Sequence, residues 1–313
     1  MKIIFMGTPS FALPSLKRLV ESKFEIILVI TQPDRPGGRG MKPKPPEVKL
    51  LALQMGLPIY QPPRIKEKEV ITYLQKFTGE AIVVVAYGQI LPSEILNIPK
   101  FGCINLHASL LPDLRGAAPI PRSIILGREI TGVTTMYLDE GMDTGDIILQ
   151  KEVEILADET AGELSERLAT IGADLLLETM RLVEQGKVPR RRQDEESATY
   201  APVISKEETL IDWTKSAREI HNLIRGLNPL PGAYSFLEEK RVKIYRSRVV
   251  EDKSEDRTPG RIVSLKTGEM VVACGEDYLS ILELQPEDKR TMDIRAFLAG
   301  HKITPSTTFG KRG

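Results

Sequence analysis

The stretch Phe101-Gly-Cys-Ile-Asn105-Leu-His107-Ala-Ser109-Leu-Leu-Pro112-Asp-Leu-Arg115-Gly-Ala-Ala-Pro119 decides how this chain is read. Cys103 to Leu106 is a short apolar run, the mark of a buried strand near its end. Asn105 and His107 stand two residues apart, so a strand points both to one face. An amide and an imidazole buried together cost free energy unless something occupies them. Ser109, Pro112, Asp113 and Gly116 then form a turn that also carries the cation Arg115. Further on lies Asp139-Glu-Gly-Met-Asp143-Thr-Gly-Asp146, an acidic, glycine-punctuated loop between two apolar runs. Open α/β sheets bind ligands at the carboxyl ends of their strands, where Asn105, His107 and Asp143 can meet.

Working outward, the N-terminal side repeats one pattern. An apolar run at residues 2–6 ends in Gly7-Thr-Pro, and Ser10 precedes a helix with Leu13, Leu16, Leu19 and Val20 on its apolar stripe. A second apolar run follows at 25–30, which reads as a right-handed βαβ unit. Residues 81–86 form a fully buried central strand that runs into Tyr87-Gly-Gln-Ile90-Leu91 at its carboxyl edge. Beyond the decisive stretch come a helix at 119–126, strands at 132–138 and 147–155, and a long helix at 160–184. The fold class is α/β: a Rossmann-like, mostly parallel sheet with helices on both faces. The Gly7 turn is not GxGxxG, no acidic residue follows the second strand, and no Walker A sequence exists, so NAD and ATP are rejected. With only His107, His221 and His301 there is no HExxH and no metal-ligand cluster, so no metal is expected. Ser109 has no positioned base, which argues against a serine nucleophile.

The chain of 313 residues is long enough for two domains. Charge balances at 43 basic and 43 acidic residues, so a nucleic-acid partner needs a local basic surface. The two cysteines, Cys103 and Cys274, lie in apolar runs and form no disulfide framework, which fits a reducing compartment. The N-terminus lacks the pattern of a signal peptide, and no apolar run approaches the roughly 20 residues that span a bilayer. Residues 31–46 are basic and rich in Pro and Gly. By composition they read as a surface loop without long helix or sheet. Residues 188–200 are charged and aperiodic and read as an interdomain linker. We divide the chain into a catalytic domain at 1–187, a linker at 188–206 and a C-terminal domain at 207–313. Strands at 233–236, 243–250, 260–263, 269–273 and 279–284 suggest a small OB-like β-barrel. Lys240, Arg241, Lys243, Arg246 and Arg248 alternate with apolar residues there. That face is either merely solvated or a surface that tracks phosphates.

The quoted residues also carry a resemblance. Asn105-Leu-His107-Ala-Ser109-Leu-Leu-Pro112, Arg115-Gly116 and Gly141-Met-Asp143-Thr-Gly145 match the signature of the folate-dependent formyltransferases in order and spacing. The resemblance implies that Asn105, His107 and Asp143 are a catalytic trio around a formyl group. It implies that Ser109, Leu110, Leu111 and Pro112 line the folate pocket and that the pterin sits against Tyr87, Gly88, Ile90 and Leu91. The co-substrate so implied is 10-formyltetrahydrofolate. Gly7-Thr-Pro-Ser-Phe-Ala12, Gln32-Pro-Asp-Arg-Pro-Gly-Gly-Arg39-Gly and the stretch from Glu219 to Ala233 are similar to the branch that formylates initiator methionyl-tRNA. On that resemblance Arg39, Lys42 and Lys44 contact the tRNA acceptor end. Arg241 and Lys243 are further tRNA-binding candidates, and the enzyme is expected to be a cytoplasmic monomer.

Formyl transfer to an amine develops an oxyanion and releases a proton, so it needs a hydrogen-bond donor and a proton route. Asn105 can supply the first and His107 either. Asp143 can hold the imidazole in one tautomer or accept from the attacking amine. The alternatives are a formyltransferase acting on a small amine, such as a nucleotide or amino sugar, and a non-catalytic folate- or RNA-binding relative.

Overall fold

The computed structural model describes every residue except 38–41, 252–255, 267, 306 and 311–313, and leaves the side chains of 37 and 42 undescribed. The chain groups into two units. One comprises Met1–Gly116, Ile130–Glu154 and Ser165–Ala201; the other comprises Ala117–Glu129, Ile155–Leu164 and Pro202–Gly313.

In chain order the elements begin β1 (Lys2–Gly7), α1 (Leu13–Val20), β2 (Glu25–Ile30), β3 (Arg35–Gly37), β4 (Lys42–Lys44), α2 (Glu47–Gln54) and β5 (Ile59–Tyr60). They continue α3 (Lys68–Leu74), β6 (Ala81–Val85), α4 (Ser93–Leu96), β7 (Cys103–His107), α5 (Pro119–Ile125), β8 (Ile130–Tyr137), β9 (Ile147–Glu154) and α6 (Ala161–Glu184). The main sheet of the first unit runs β5-β2-β1-β6-β7-β8-β9. Its first five strands are parallel, and β8 and β9 are added antiparallel at one edge. Every residue of β6 and β7 is buried, as near-continuous apolar runs covered on both faces require. One face carries Ile4, Met6, Leu28, Ile30, Ile82, Val84 and Cys103 against Val70, Leu74 and Ile95 of α3 and α4. On the opposite face Gly172 lets α6 approach closely: a Cβ there would lie 2.8 Å from Leu106. Strand order reverses between β1 and β6, the switch point where such sheets open a crevice at their carboxyl edge.

The basic proline-rich segment is more regular than its composition predicts. β3 and β4 pair antiparallel, with Arg35 opposite Lys44, Pro36 opposite Pro43 and Gly37 opposite Lys42. A two-stranded ribbon tolerates prolines because each strand is also an edge that no third strand must bond.

The second unit continues with α7 (Ala217–Gly226), β10 (Ala233–Leu237), β11 (Lys240–Val250), β12 (Ile262–Lys266), β13 (Glu269–Ala273) and β14 (Tyr278–Pro286). β15 (Met292–Asp293), α8 (Ile294–Gly300) and β16 (Phe309–Gly310) complete it. Ser216 and Glu219 cap α7 reciprocally. The sheet runs β12-β13-β14-β11-β10-β16, with β15 beside β14. It curls until its ends meet: Arg261 bridges Thr308, and the Phe309 N–H donates to the Gly260 carbonyl at 2.7 Å. This is the OB-like barrel expected from the strand spacing. β15 and β16 escape the sequence reading because two residues hold no alternation to detect. The interior gathers Trp213, Ile220, Ile224, Val242, Ile244, Leu279, Ile281 and Phe297. α5 groups with this unit and packs on α7, where a Cβ on Gly226 would lie 2.7 Å from Ile125. Residues 188–200, which composition alone reads as linker, group with the first unit.

Candidate active site

The last residues of β7 carry the polar groups. Asn105 and His107 retain 8% and 6% of their surface and share the face of Cys103, as their spacing requires. The Asn105 amide makes no side-chain hydrogen bond to any described residue, so its donor and acceptor remain for a ligand. His107 Nε2 lies 3.1 Å from the Leu114 carbonyl. A carbonyl only accepts, so Nε2 carries a proton and donates. That orientation turns Nδ1 towards Asp143, 3.6 Å from Oδ2, an approach longer than a hydrogen bond.

Asp143 sits on the loop between β8 and β9 with φ +54°. Its Oδ2 accepts the Gly116 N–H at 2.8 Å, while Oδ1 accepts nothing from the described residues. The loop is locally knotted: Asp139 Oδ1 accepts from the Gly141 N–H at 3.0 Å and from Thr144 Oγ1 at 2.6 Å. Gly145 presses on the strand before it, so that a Cβ there would lie 1.9 Å from the Tyr137 carbonyl.

The remaining anchors come from residues 193–201. Arg115 is fully buried and grips Glu195 with both terminal nitrogens, at 2.8 and 2.9 Å. Glu195 lifts the guanidinium further above its ordinary value, and Arg115 holds the Glu195 carboxyl below the usual carboxylate range. Gln193 accepts from Arg115 Nε and Nη2 and donates to the carbonyls of Asp143 and Gly145. The Arg115 backbone exchanges hydrogen bonds with Thr199 and Ala201. Sequence reading missed Gln193, Glu195 and Thr199, for which no local signal exists; their partners lie tens of residues away.

The Ser109–Pro112 segment is a rigid turn. Ser109 Oγ donates to the Asp113 carbonyl at 2.5 Å, and Thr134 Oγ1 donates to the Ser109 carbonyl at 2.6 Å. Gln150 Nε2 donates to the Leu111 carbonyl at 2.8 Å. Leu111 packs on Met136 and Ile147, whereas Leu110 and Pro112 are half-buried. The loop after β6 divides. Tyr87 and Leu91 point into the apolar core, where the Tyr87 hydroxyl has no partner and burial pushes the phenol well up. Gly88, at φ +88°, and Ile90, 80% exposed, face outward. Thr8 Oγ1 and Gln32 Nε2 hold the loop by donating to the Tyr87 carbonyl at 2.8 and 3.3 Å.

Arg39 lies outside the described residues, and Lys42 is placed by its backbone in β4. Lys44 is exposed and pairs with Glu47 at 3.3 Å. In the second unit Arg241 stacks on Tyr234 at 4.0 Å, and Lys243 Nζ donates to the Pro231 carbonyl at 2.7 Å. Burial, with Arg241 adding, draws the Lys243 ammonium down. His221 is buried against Ser247, in keeping with a structural role. Both cysteines are buried, which pushes their thiols up to about 12. Among the described residues no group of three or more His, Cys, Asp or Glu is gathered to hold a metal.

Residues 1–180 match the formyl transferase family and residues 203–302 match the formyl transferase C-terminal domain. The chain belongs to the formyl transferase family. Two relatives in particular, each named methionyl-tRNA formyltransferase, align over nearly the whole chain. That of Thermodesulfovibrio yellowstonii is 50% identical over 301 residues, 96% of each chain. That of Caldanaerobacter subterraneus subsp. tengcongensis is 49% identical over 308 residues, 98% of this chain and 99% of the relative. Solved structures share the fold at lower identity. The N-formyltransferase of Helicobacter canadensis, in complex with folinic acid and dTDP-3-aminofucose, superposes with TM-score 0.64 at 20% identity, covering 90% of this chain and 98% of that one. HypX from Aquifex aeolicus, in complex with tetrahydrofolic acid, gives TM-score 0.66 at 16% identity, covering 98% of this chain and 50% of that one.

Proposed function

We propose that this chain transfers the formyl group of 10-formyltetrahydrofolate to the amino group of methionine on initiator methionyl-tRNA. The reading is supported by His107 Nδ1 standing 3.6 Å from Asp143 Oδ2, with Asn105 two residues back on the same face of β7. This arrangement lies in a chain 44–50% identical, nearly end to end, to proteins named methionyl-tRNA formyltransferase. The folate supplies an electrophilic formyl carbon. The methionyl nitrogen bonds to that carbon, the bond to the folate nitrogen breaks, and as the amine gives up a proton the released folate nitrogen takes one up. The free carboxamide of Asn105 donates to the formyl oxygen as negative charge develops there. A neutral, fixed donor suits that task because it needs no reorganisation. Asp143, tethered through Oδ2 to Gly116, offers Oδ1 to the amine proton, and His107 Nδ1 stands beside it as the second station.

The remaining assignments belong to the same proposal. Ser109, Leu110, Leu111 and Pro112 hold the folate on one side, and Gly88 and the exposed Ile90 present a surface for the pterin on the other. Tyr87 and Leu91 support that surface from beneath. Arg39, Lys42 and Lys44 serve the acceptor end, and Arg241 and Lys243 track the RNA backbone from the second unit. The exposed ammonium of Lys44 and the ring-stacked guanidinium of Arg241 support this use. We place the enzyme in the cytoplasm as a monomer. Its buried, unpaired cysteines fit a reducing compartment, and no described helix is long and apolar enough to cross a membrane.

The test offers the purified chain formyl-labelled 10-formyltetrahydrofolate with initiator methionyl-tRNA, a nucleotide-linked amino sugar or free methionine. Label is expected on the tRNA alone. Label on the sugar and none on the tRNA overturns the acceptor assignment.

A further inference from the structure

We infer that Gln193 is a positioning residue of the reaction, setting the distance between Asp143 and His107. The inference rests on the reading of Asp143 as a reacting group. Gln193 is 5% exposed, and its carboxamide uses all of its hydrogen-bonding capacity. The oxygen accepts from Arg115 Nε at 3.1 Å and from Arg115 Nη2 at 2.9 Å. The nitrogen donates to the Asp143 carbonyl and to the Gly145 carbonyl, each at 2.8 Å. Asp143 is therefore held from two directions. Gln193 grips its backbone, and the Gly116 N–H grips its carboxylate at 2.8 Å.

The two grips are one device. Gly116 follows Arg115, and Arg115 is the group that fixes the Gln193 oxygen. The Arg115 backbone is itself stitched to the Gln193 segment, donating to the Thr199 carbonyl at 2.9 Å and accepting from the Ala201 N–H at 2.7 Å. Segments 115–116, 143–145 and 193–201 thus form a closed circuit whose only reacting member is Asp143. The loop has reason to need it. Asp143 occupies the left-handed region at φ +54°, uncommon outside glycine although aspartate is among the residues that reach it, and these bonds hold it there. A glutamine is the residue that can do this. Glutamate keeps Arg115 but sets a second carboxylate oxygen against two carbonyls, and asparagine is one methylene too short to span the gap.

The experiment is a double-mutant cycle in the full chain, combining Gln193→Glu with Asp143→Asn and read as single-turnover formylation of initiator methionyl-tRNA. Gln193→Glu alone is expected to lower kcat about tenfold to a hundredfold, with KM for the folate donor changed less than about twofold. In the Asp143→Asn background the same substitution costs less than about twofold, because the group it positions is gone. Equal losses in both backgrounds, or a rise in KM at unchanged kcat, overturn the positioning role. Asp143→Asn with normal turnover overturns the catalytic reading and this inference with it. Normal turnover in Gln193→Glu, with Asp143→Asn impaired, overturns this inference alone. A second measurement needs no variant: the Gln193 side-chain amide protons in labelled wild-type protein exchange slowly with solvent, and rapid exchange overturns the geometry.

Discussion

Replacing Asn105 by leucine separates chemistry from architecture. In the folded chain Asn105 is 8% exposed and its amide bonds to no described residue, so the group is only partly hydrated until a ligand arrives. A buried polar group left unsatisfied costs about 1–3 kcal/mol, and the solvent left to Asn105 places it in the lower half of that range. Leucine keeps the branching of the asparagine side chain but is bulkier, and added volume in a packed site costs about 1–3 kcal/mol. The two effects offset to within about 2 kcal/mol, equivalent to a melting temperature that moves by no more than about 4–8 °C. Removing a donor to a developing oxyanion costs about a hundredfold to a thousandfold in kcat. Calorimetry gives the first quantity. Single-turnover transfer from labelled 10-formyltetrahydrofolate to initiator methionyl-tRNA gives the second, free of product release. The expected signature is a folded variant of near-parental stability that is nearly inactive. A variant that melts several degrees lower yet turns over normally refutes the assignment and makes Asn105 a structural amide.

Further outcomes follow from other parts of the structure. His107→Ala and Asp143→Asn each lower kcat by about a hundredfold or more, with folate affinity measured by titration nearly unchanged. Gly145→Ala sets a Cβ 1.9 Å from the Tyr137 carbonyl, so the loop retreats by about 1 Å and kcat falls about a hundredfold, while far-UV circular dichroism keeps its folded signal. Burial holds the His221 imidazole below its ordinary value and outweighs Asp158, whose carboxylate 3.4 Å away is 75% exposed. The folded chain therefore prefers this group neutral, and the unfolded chain binds the extra proton below about pH 6.5. Stability from this source is complete above that pH and declines as pH falls beneath it. Denaturant melts of His221→Gln between about pH 7 and 5 show a shallower decline than the parent, and identical slopes contradict the assignment.

Much of this was legible because the decisive signals are local. β6 is an unbroken apolar run and β1 nearly so, and the two-residue spacing of Asn105 and His107 puts both on one face of β7 whatever surrounds them. The order of the trio is likewise written in the chain. What stayed hidden depends on long-range partners. Nothing near Arg115 announces that its guanidinium is buried, because Gln193 and Glu195 lie 78 and 80 residues away in a stretch that composition reads as linker. α5 is recognisable as a helix, but an apolar stripe does not say what it packs against, and this one packs on α7. Tyr87 has an apolar ring and a polar tip, and only the surrounding core decides that the ring goes in and its hydroxyl goes unpartnered. Pro36 and Pro43 argue against a sheet until they are seen facing each other across a ribbon of two strands.

The interleaving of the two units along the chain has a consequence for synthesis. A ribosome releases α5 and residues 155–164 long before α7 and the barrel strands that complete their unit. During that interval the nascent chain displays Ile124 and Ile125 as unsheltered apolar surface, which invites aggregation or capture by chaperones. The second unit closes only when Phe309 reaches Gly260, so its barrel cannot form until β16 has left the ribosome.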